Sequence, residues 1–140
     1  RMTNVHAAIL YGQLKHSNEI MDNKYRVFNE YDKLLKDLPL ESQKETPNTK
    51  HACWMYGVKF ENKEIKNKVQ SGLEDLGIDT RPMFYSLGTH EHLKYIDGFL
   101  HPEFNKISNQ LSDCCLILPS YPSISNDEIK TVVEGIKNEI

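Results

Sequence analysis

Three short strand-like segments, separated by helical patterns, constrain the fold of this chain most. Residues 51–60 are rich in aromatic and branched side chains, residues 79–86 contain three large ones, and residues 114–119 are the most apolar run. Apolar residues at three- and four-residue spacing fill the intervals and both ends. The order predicts an α+β fold, an α/β sandwich in which helices cover one face of a small three-stranded sheet. All 140 residues are assigned to a single domain.

The first helical pattern begins after Thr3 or Asn4, either of which can cap a helix. It continues to Leu38 and ends before Pro39, as one long N-terminal helix or as two helices with a kink. The polar stretch 40–50 that follows predicts a surface connection.

Local signals also mark the later helices. Asn62 is expected to cap the second helix and Gly77 to end it. Pro102 suits the first turn of a short helix that runs through Leu111. The segment 125–128, Ser-Asn-Asp-Glu, fits a capping box that opens the last helix.

Composition excludes several classes of protein. The net charge is -3 with both signs interspersed, so no basic face for nucleic acid is expected. No apolar run approaches the roughly 20 residues of a membrane span, so no membrane partner is expected. Cys53, Cys114 and Cys115 are odd in number and two are adjacent, which predicts core thiols in a reducing, cytoplasmic compartment rather than disulfides or a nucleophile.

A cluster of possible metal ligands occurs after the second strand. It comprises His90, His92 and His101, with Glu91 and Asp97 nearby. Ligands for a metal must converge on one point, and no CxxC or HExxH spacing accompanies these histidines. Solvated loop histidines, and no metal, are therefore expected. The scattered glycines likewise form no phosphate-binding motif.

The segment "GIDTRPMFYSL" offers the best candidate ligand contacts. Arginine is suited to fork onto phosphate and tyrosine can add a hydroxyl donor, so Arg81, Phe84 and Tyr85 could face a phosphorylated or sugar-like ligand, with Arg1 as a further candidate. The alternative is that Arg81 makes a surface ion pair and Tyr85 is half-buried in the core.

Several motifs in this chain resemble the DegT/DnrJ/EryC1/StrS family of sugar aminotransferases, which have the type I aminotransferase fold. The similarity begins with Arg-Met-Thr-Asn at 1–4, Ala-Ala at 7–8 and Gln-Leu at 13–14. It continues through "CWMYGV", "GIDTRPMFYSL" and "LPSYPSISNDEI", and so covers essentially the whole chain. The Arg-Pro-aromatic pattern most resembles the perosamine-synthase type, which aminates C4 of a nucleotide-linked 4-keto-6-deoxy sugar.

The resemblance implies a cofactor and a missing partner. Family members hold pyridoxal phosphate (PLP) as an imine on a lysine in a large N-terminal domain, with glutamate as amino donor, and they work as homodimers. No such lysine segment occurs in this chain. The resemblance therefore predicts the C-terminal small domain, without the large domain and inactive by itself.

The resemblance also assigns site residues. It implies that Arg1 contacts phosphate in the neighbouring subunit and that the segment 81–85 lines the nucleotide-sugar cleft, with Trp54 and Tyr56 as further candidates. Many members have Pro-Leu-His where this chain has Ser-Leu-Gly at 86–88, so no role for that histidine transfers.

Two other functions remain as alternatives. One is a stand-alone, non-catalytic α+β module for ligand binding or interaction. The other is a small metal-dependent enzyme that uses the histidine loop.

Overall fold

The computed structural model describes residues 1–93, 95 and 102–140, with residues 102–104 described by their backbone alone. The helices are α1 (Asn4–Lys15), α2 (Ser17–Leu35), α3 (Lys63–Asp75), α4 (Pro102–Cys114) and α5 (Asn126–Glu139). The strands are β1 (Glu41–Ser42), β2 (Tyr56–Lys59), β3 (Arg81–Pro82) and β4 (Cys115–Leu118). The α+β class is confirmed, although the predicted strands 51–60 and 79–86 are much shorter than expected.

The strands form one antiparallel sheet in the order β1-β2-β4-β3. Tyr56 lies opposite Leu118 in the central pair, and Arg81 lies opposite Ile117 at one edge. The prediction of three strands is wrong, because β1 adds a fourth within the stretch 40–50 that was predicted to be a surface connection. Its two polar residues carry no strand signal, and they join β2 through backbone pairing and through an ion pair between Glu41 and Lys59 at 3.0 Å.

The core lies on one face of this sheet. Tyr56 and Val58 of β2 are buried with Leu116 and Leu118 of β4 against α2, α3 and α5. The helices contribute buried, mostly aliphatic side chains: Val27, Tyr31, Leu35, Val69, Leu73, Ile129, Val132, Val133 and Ile136. Helices therefore cover one face, as the patterns predict. All three cysteines are buried and unpaired, as expected.

The local helix signals act as predicted. The side chain of Asn62 accepts from the amide of Ile65 at the start of α3. Gly77 adopts φ +74° just after α3, a left-handed conformation that glycine reaches without steric cost. The hydroxyl of Ser125 accepts from the amide of Glu128, whose carboxylate accepts from the Ser125 amide, which completes the capping box of α5.

The N-terminal pattern forms two helices rather than one. They meet at His16, whose φ of -104° and ψ of 12° depart from the helical region. None of the residues of α1 is buried, and its apolar side chains Val5 and Ile9 are 69% and 61% exposed. In the part of the chain that the structure describes, no helix is both long enough and apolar enough to cross a membrane.

Candidate functional site

A cleft of about 640 Å³ opens beside the edge strand β3, and we call it the Arg81 cleft. Four parts of the chain line it: the segment before β2, the turn after α3, the end of β4 with its following loop, and α5. The lining residues are Trp54, Met55, Gly77, Ile78, Asp79, Thr80, Arg81, Ile117, Leu118, Pro119, Ser120, Tyr121, Ile124, Glu128, Thr131 and Val132.

Arg81 reaches this cleft because of the turn that ends α3. The amide of Ile78 donates to the carbonyl of Leu73, so the chain reverses at Gly77 and enters β3. Arg81 then pairs with Ile117, which also lines the cleft. The exposed guanidinium of Arg81 makes no hydrogen bond or ion pair with any residue that the structure describes. The surface ion pair considered as an alternative is therefore not formed with the described residues.

Two exposed aromatic rings lie next to the cleft. Trp54 and Phe84 are 70% and 64% exposed, and their rings stack with centroids 6.1 Å apart and planes 25° apart. We call this pair the aromatic ledge. Exposed stacked rings present a flat apolar surface of the kind on which nucleobases stack.

The other predicted residues lie elsewhere. Tyr85 is 72% exposed, so it is not half-buried core, and it lines a separate hollow with His90, Asn109 and Asp113. Arg1 is exposed, precedes α1 and is not among the residues lining the Arg81 cleft.

Tyr56 is part of the core and not of the cleft. Its side chain is 3% exposed, and its hydroxyl donates to Oδ1 of Asp32 at 2.6 Å. Burial and this hydrogen bond both raise the pKa of the phenol, so the hydroxyl stays protonated. Tyr56 therefore takes no part in the site that we propose below.

The charged side chains that line the cleft differ in whether other residues already bond to them. Among its lining residues Arg81 is the cation, while Asp79 and Glu128 are acidic. Glu128 is held by the Ser125 amide and hydroxyl, and these hydrogen bonds lower its pKa. Desolvation and the nearby Glu128 carboxylate raise the pKa of Tyr121. Arg81 is thus the positively charged side chain of the cleft that is available to a ligand.

The loop after β4 is a cleft wall that sequence reasoning missed. The quoted motif "LPSYPSISNDEI" contains this loop, but nothing local in the sequence shows that four of its residues line a cleft with Arg81. These residues are Pro119, Ser120, Tyr121 and Ile124. Side chains of α2 hold this loop: Arg26 donates to the carbonyls of Pro122 and Ile124, and Tyr31 donates to that of Pro119.

The lining residues do not fit an imine-bound PLP, because none of them is a lysine. Two lysines of the chain are at least partly buried, Lys24 in α2 and Lys66 in α3. Lys24 donates to two backbone carbonyls at 2.7 Å, and Lys66 donates to Gln70 at 3.3 Å. Both ammonium groups are thus engaged, and neither lysine is among the residues that line the cleft.

No metal-binding group of three or more His, Cys, Asp or Glu side chains occurs among the described residues. His90 and His92 contact each other with ring centroids 5.4 Å apart. His101 and Asp97, named with them above, lie outside the described residues.

The fold and the cleft together define an α+β domain in which an arginine that pairs with none of the described residues lines an opening of about 640 Å³. Residues 1–137 match the model of the DegT/DnrJ/EryC1/StrS aminotransferase family, and the chain belongs to that family. The resemblance drawn from the sequence motifs is thereby confirmed.

Known relatives are longer than this chain. It is 32% identical over 143 residues to a GDP-perosamine synthase of Vibrio cholerae, a match that covers 99% of the chain and 37% of that protein. A DegT/DnrJ/EryC1/StrS aminotransferase structure from Brucella abortus superposes with a TM-score of 0.83 at 20% identity, covering 99% of this chain and 36% of that one. An Escherichia coli GDP-4-keto-6-deoxy-D-mannose-3-dehydratase with bound hydrated PLP gives 0.76 at 20% identity, over 94% and 34%. The chain thus spans little more than a third of these relatives.

Proposed function

We propose that this chain forms one wall of the nucleotide-sugar site in a PLP-dependent aminotransferase. The substrate would be a 4-keto-6-deoxy sugar linked to a nucleotide, and glutamate would donate the amino group. The observation that carries this proposal is the guanidinium of Arg81, which pairs with none of the described residues and lies in a cleft of about 640 Å³. The identity of 32% to a GDP-perosamine synthase supports the choice of substrate class.

Each wall of the cleft suits a different part of such a ligand. Arg81 would fork onto the diphosphate, because a guanidinium offers paired donors that match phosphate oxygens. Trp54 and Phe84 would stack on the base. The volume of the Arg81 cleft falls within the range of about 300–1,000 Å³ that small-molecule sites occupy.

The chemistry itself would reside in the rest of a family-length protein. A large domain would supply the imine lysine, and PLP bound there would act as the electron sink. Two such subunits would form a cytoplasmic homodimer in which Arg1 contacts the neighbouring subunit's phosphate group. The exposed apolar side chains of α1 offer a surface that this assembly could cover. This chain alone would then have no transaminase activity.

Trp54 provides a direct test, since it is the only tryptophan in the sequence. GDP-4-keto-6-deoxy-D-mannose should quench its fluorescence, and Arg81→Ala should raise the dissociation constant about tenfold. Lys137→Ala, an exposed change on α5, should leave binding unchanged. Absence of quenching, or equal quenching in Arg81→Ala, would contradict the proposed site.

A second measurement separates this proposal from a chain with its own active site. Incubation with PLP, glutamate and the keto sugar should give no turnover, and borohydride should trap no single stoichiometric lysine. Selective trapping of one lysine together with turnover would overturn the assignment of the imine lysine to another domain.

A further inference from the structure

One ammonium group joins two walls of the Arg81 cleft. Lys24 of α2 donates to the carbonyl of Trp54 and to that of Ser120, in both cases at 2.7 Å. Trp54 precedes β2 and Ser120 follows β4, and both line the cleft. The two acceptors are 30 and 96 residues away from Lys24 in the chain.

Side chains of α2 hold the Trp54 wall. Trp54 lies outside β2, next to Cys53, which is buried and adopts φ +50°. The Cys53 amide donates to Nδ1 of His51, and the carbonyl of His51 accepts from the hydroxyl of Tyr25. Tyr25 and Lys24 thus fix the backbone from which the exposed Trp54 ring projects.

The opposite wall has anchors of its own. Arg26 and Tyr31 hold the carbonyls of the loop 119–124 independently of Lys24. Ser120 also accepts from the Tyr56 amide through its hydroxyl. Lys24 is the α2 side chain that bonds to both walls.

We propose that Lys24 is a positioning residue that fixes the aromatic ledge relative to the Ser120 wall and thereby sets the width of the Arg81 cleft. Two of its three N–H donors meet carbonyls, and the ammonium also lies 5.6 Å from the ring centroid of Phe28. An uncharged side chain of similar length would leave both carbonyls without this donor.

The proposal concerns the geometry of the walls, and its effect on ligand affinity rests on the proposed function. The two are tested separately through the single tryptophan. Lys24→Met should lower the fluorescence anisotropy of Trp54 and increase the quenching of its fluorescence by acrylamide, because the aromatic ledge becomes more mobile. The same variant should raise the dissociation constant for GDP-4-keto-6-deoxy-D-mannose about tenfold.

Two further variants make the test specific. Lys24→Arg keeps donors for both carbonyls and should restore anisotropy and affinity. Lys33→Met removes a lysine of the same helix that is 71% exposed and should change neither. Circular dichroism would check that each variant is folded, and Lys24→Leu, which also lacks N–H donors in its side chain, would replace Lys24→Met if the latter failed to fold.

The outcomes distinguish the two proposals. Unchanged Trp54 anisotropy in folded Lys24→Met, or equal loss in Lys24→Arg, would overturn the positioning role. If anisotropy falls as expected while the unmodified chain binds no nucleotide sugar, the positioning role stands and the proposed function fails.

Discussion

The hydroxyl of Tyr56 donates a 2.6 Å hydrogen bond to Oδ1 of Asp32, while its ring stacks on Tyr31 with centroids 4.6 Å apart. This pair of contacts joins the central strand β2 to α2. Since α2 also carries Lys24 and Arg26, the same helix fixes both the core side of the sheet and the walls of the cleft.

Tyr56→Phe should lower the free energy of unfolding by about 1 kcal/mol, because it removes one hydrogen bond and keeps the ring packing. Chemical denaturation would measure this loss. Tyr11→Phe, at a ring that is 61% exposed, is the matched control and should change stability little. Ligand affinity should be equal in Tyr56→Phe and the unmodified chain, and a large loss would show that the hydroxyl acts in the site.

Arg81→Ala in an intact enzyme carrying this chain should raise KM for the nucleotide sugar about tenfold and leave KM for glutamate within about twofold. Arg81→Lys should raise KM for the nucleotide sugar less than Arg81→Ala does, because an ammonium keeps the positive charge but loses the paired donors of the guanidinium. Steady-state kinetics with each substrate varied in turn would measure this. Equal effects on both substrates would contradict the cleft assignment.

Two glycines should respond oppositely to alanine. A Cβ at Gly135 would come within 2.7 Å of Cδ2 of Leu73, so Gly135→Ala should cost about 1–3 kcal/mol through overpacking. A Cβ at Gly12 would meet no atom within 4 Å, so Gly12→Ala should favour α1 by up to about 1 kcal/mol. Thermal unfolding would measure the first and helical circular dichroism the second. Stabilisation by Gly135→Ala would contradict the packing of α3 on α5.

Protonation of the Glu128 carboxylate should lower the free energy of unfolding at acid pH. Hydrogen bonds from Ser125 lower its pKa from 4.5, so the folded state favours the carboxylate. The stability that this carboxylate contributes is fully present at pH values above its pKa in the unfolded chain. It is lost as the pH falls through its lower pKa in the folded chain. Asp127, whose pKa the hydrogen bond from Lys130 lowers, adds to the same acid loss.

Denaturant unfolding between about pH 6 and 3 would show a smaller acid loss in Glu128→Gln than in the unmodified chain. Glu134→Gln, on the same helix but outside the capping box, serves as the control and should follow the unmodified chain. An identical pH profile in Glu128→Gln would contradict the role of the carboxylate in the cap.

The exposed helix α1 should make this chain self-associate when nothing covers it. Ile9 and Leu14 are 61% and 60% exposed, and apolar surface of this kind favours association. Sedimentation velocity should show concentration-dependent oligomers. The double change Ile9→Lys, Leu14→Lys should abolish them, whereas Ile107→Lys, at an equally exposed position on α4, should not. A monomer at all concentrations would contradict this prediction.

Structure set by neighbours in the sequence was predictable. The side chain of Asn62 accepts from the amide three residues later and so caps α3. The amide of Gly77 donates to a carbonyl of the last turn of α3, and Ser125 bonds to Glu128. In each case the partners lie within a few residues, so propensity and spacing are sufficient. Arg81 was also identified as a ligand candidate, and it lies in the cleft because it follows such a turn.

Structure set by distant partners was not predictable. Glu41 and Ser42 form a strand because Lys59 and Val58 lie opposite them. Tyr85 was expected beside Arg81, but β3 ends at Pro82 and Tyr85 lines a different hollow. Sequence spacing along a strand cannot predict where that strand stops pairing.

The side chain of Lys24 was missed for the same reason. Its sequence neighbours are polar, and its acceptors are 30 and 96 residues away. No local pattern marks such a residue.

The antiparallel pairing of β2 with β4 has a consequence for how the chain folds. Tyr56 lies opposite Leu118, and α3, β3 and α4 lie between these two residues in the chain. Closing so long a loop costs entropy before any strand contact forms, and such non-local pairing slows folding. The helices, which need only local contacts, should therefore form early, and the pairing of the two central strands should limit the folding rate.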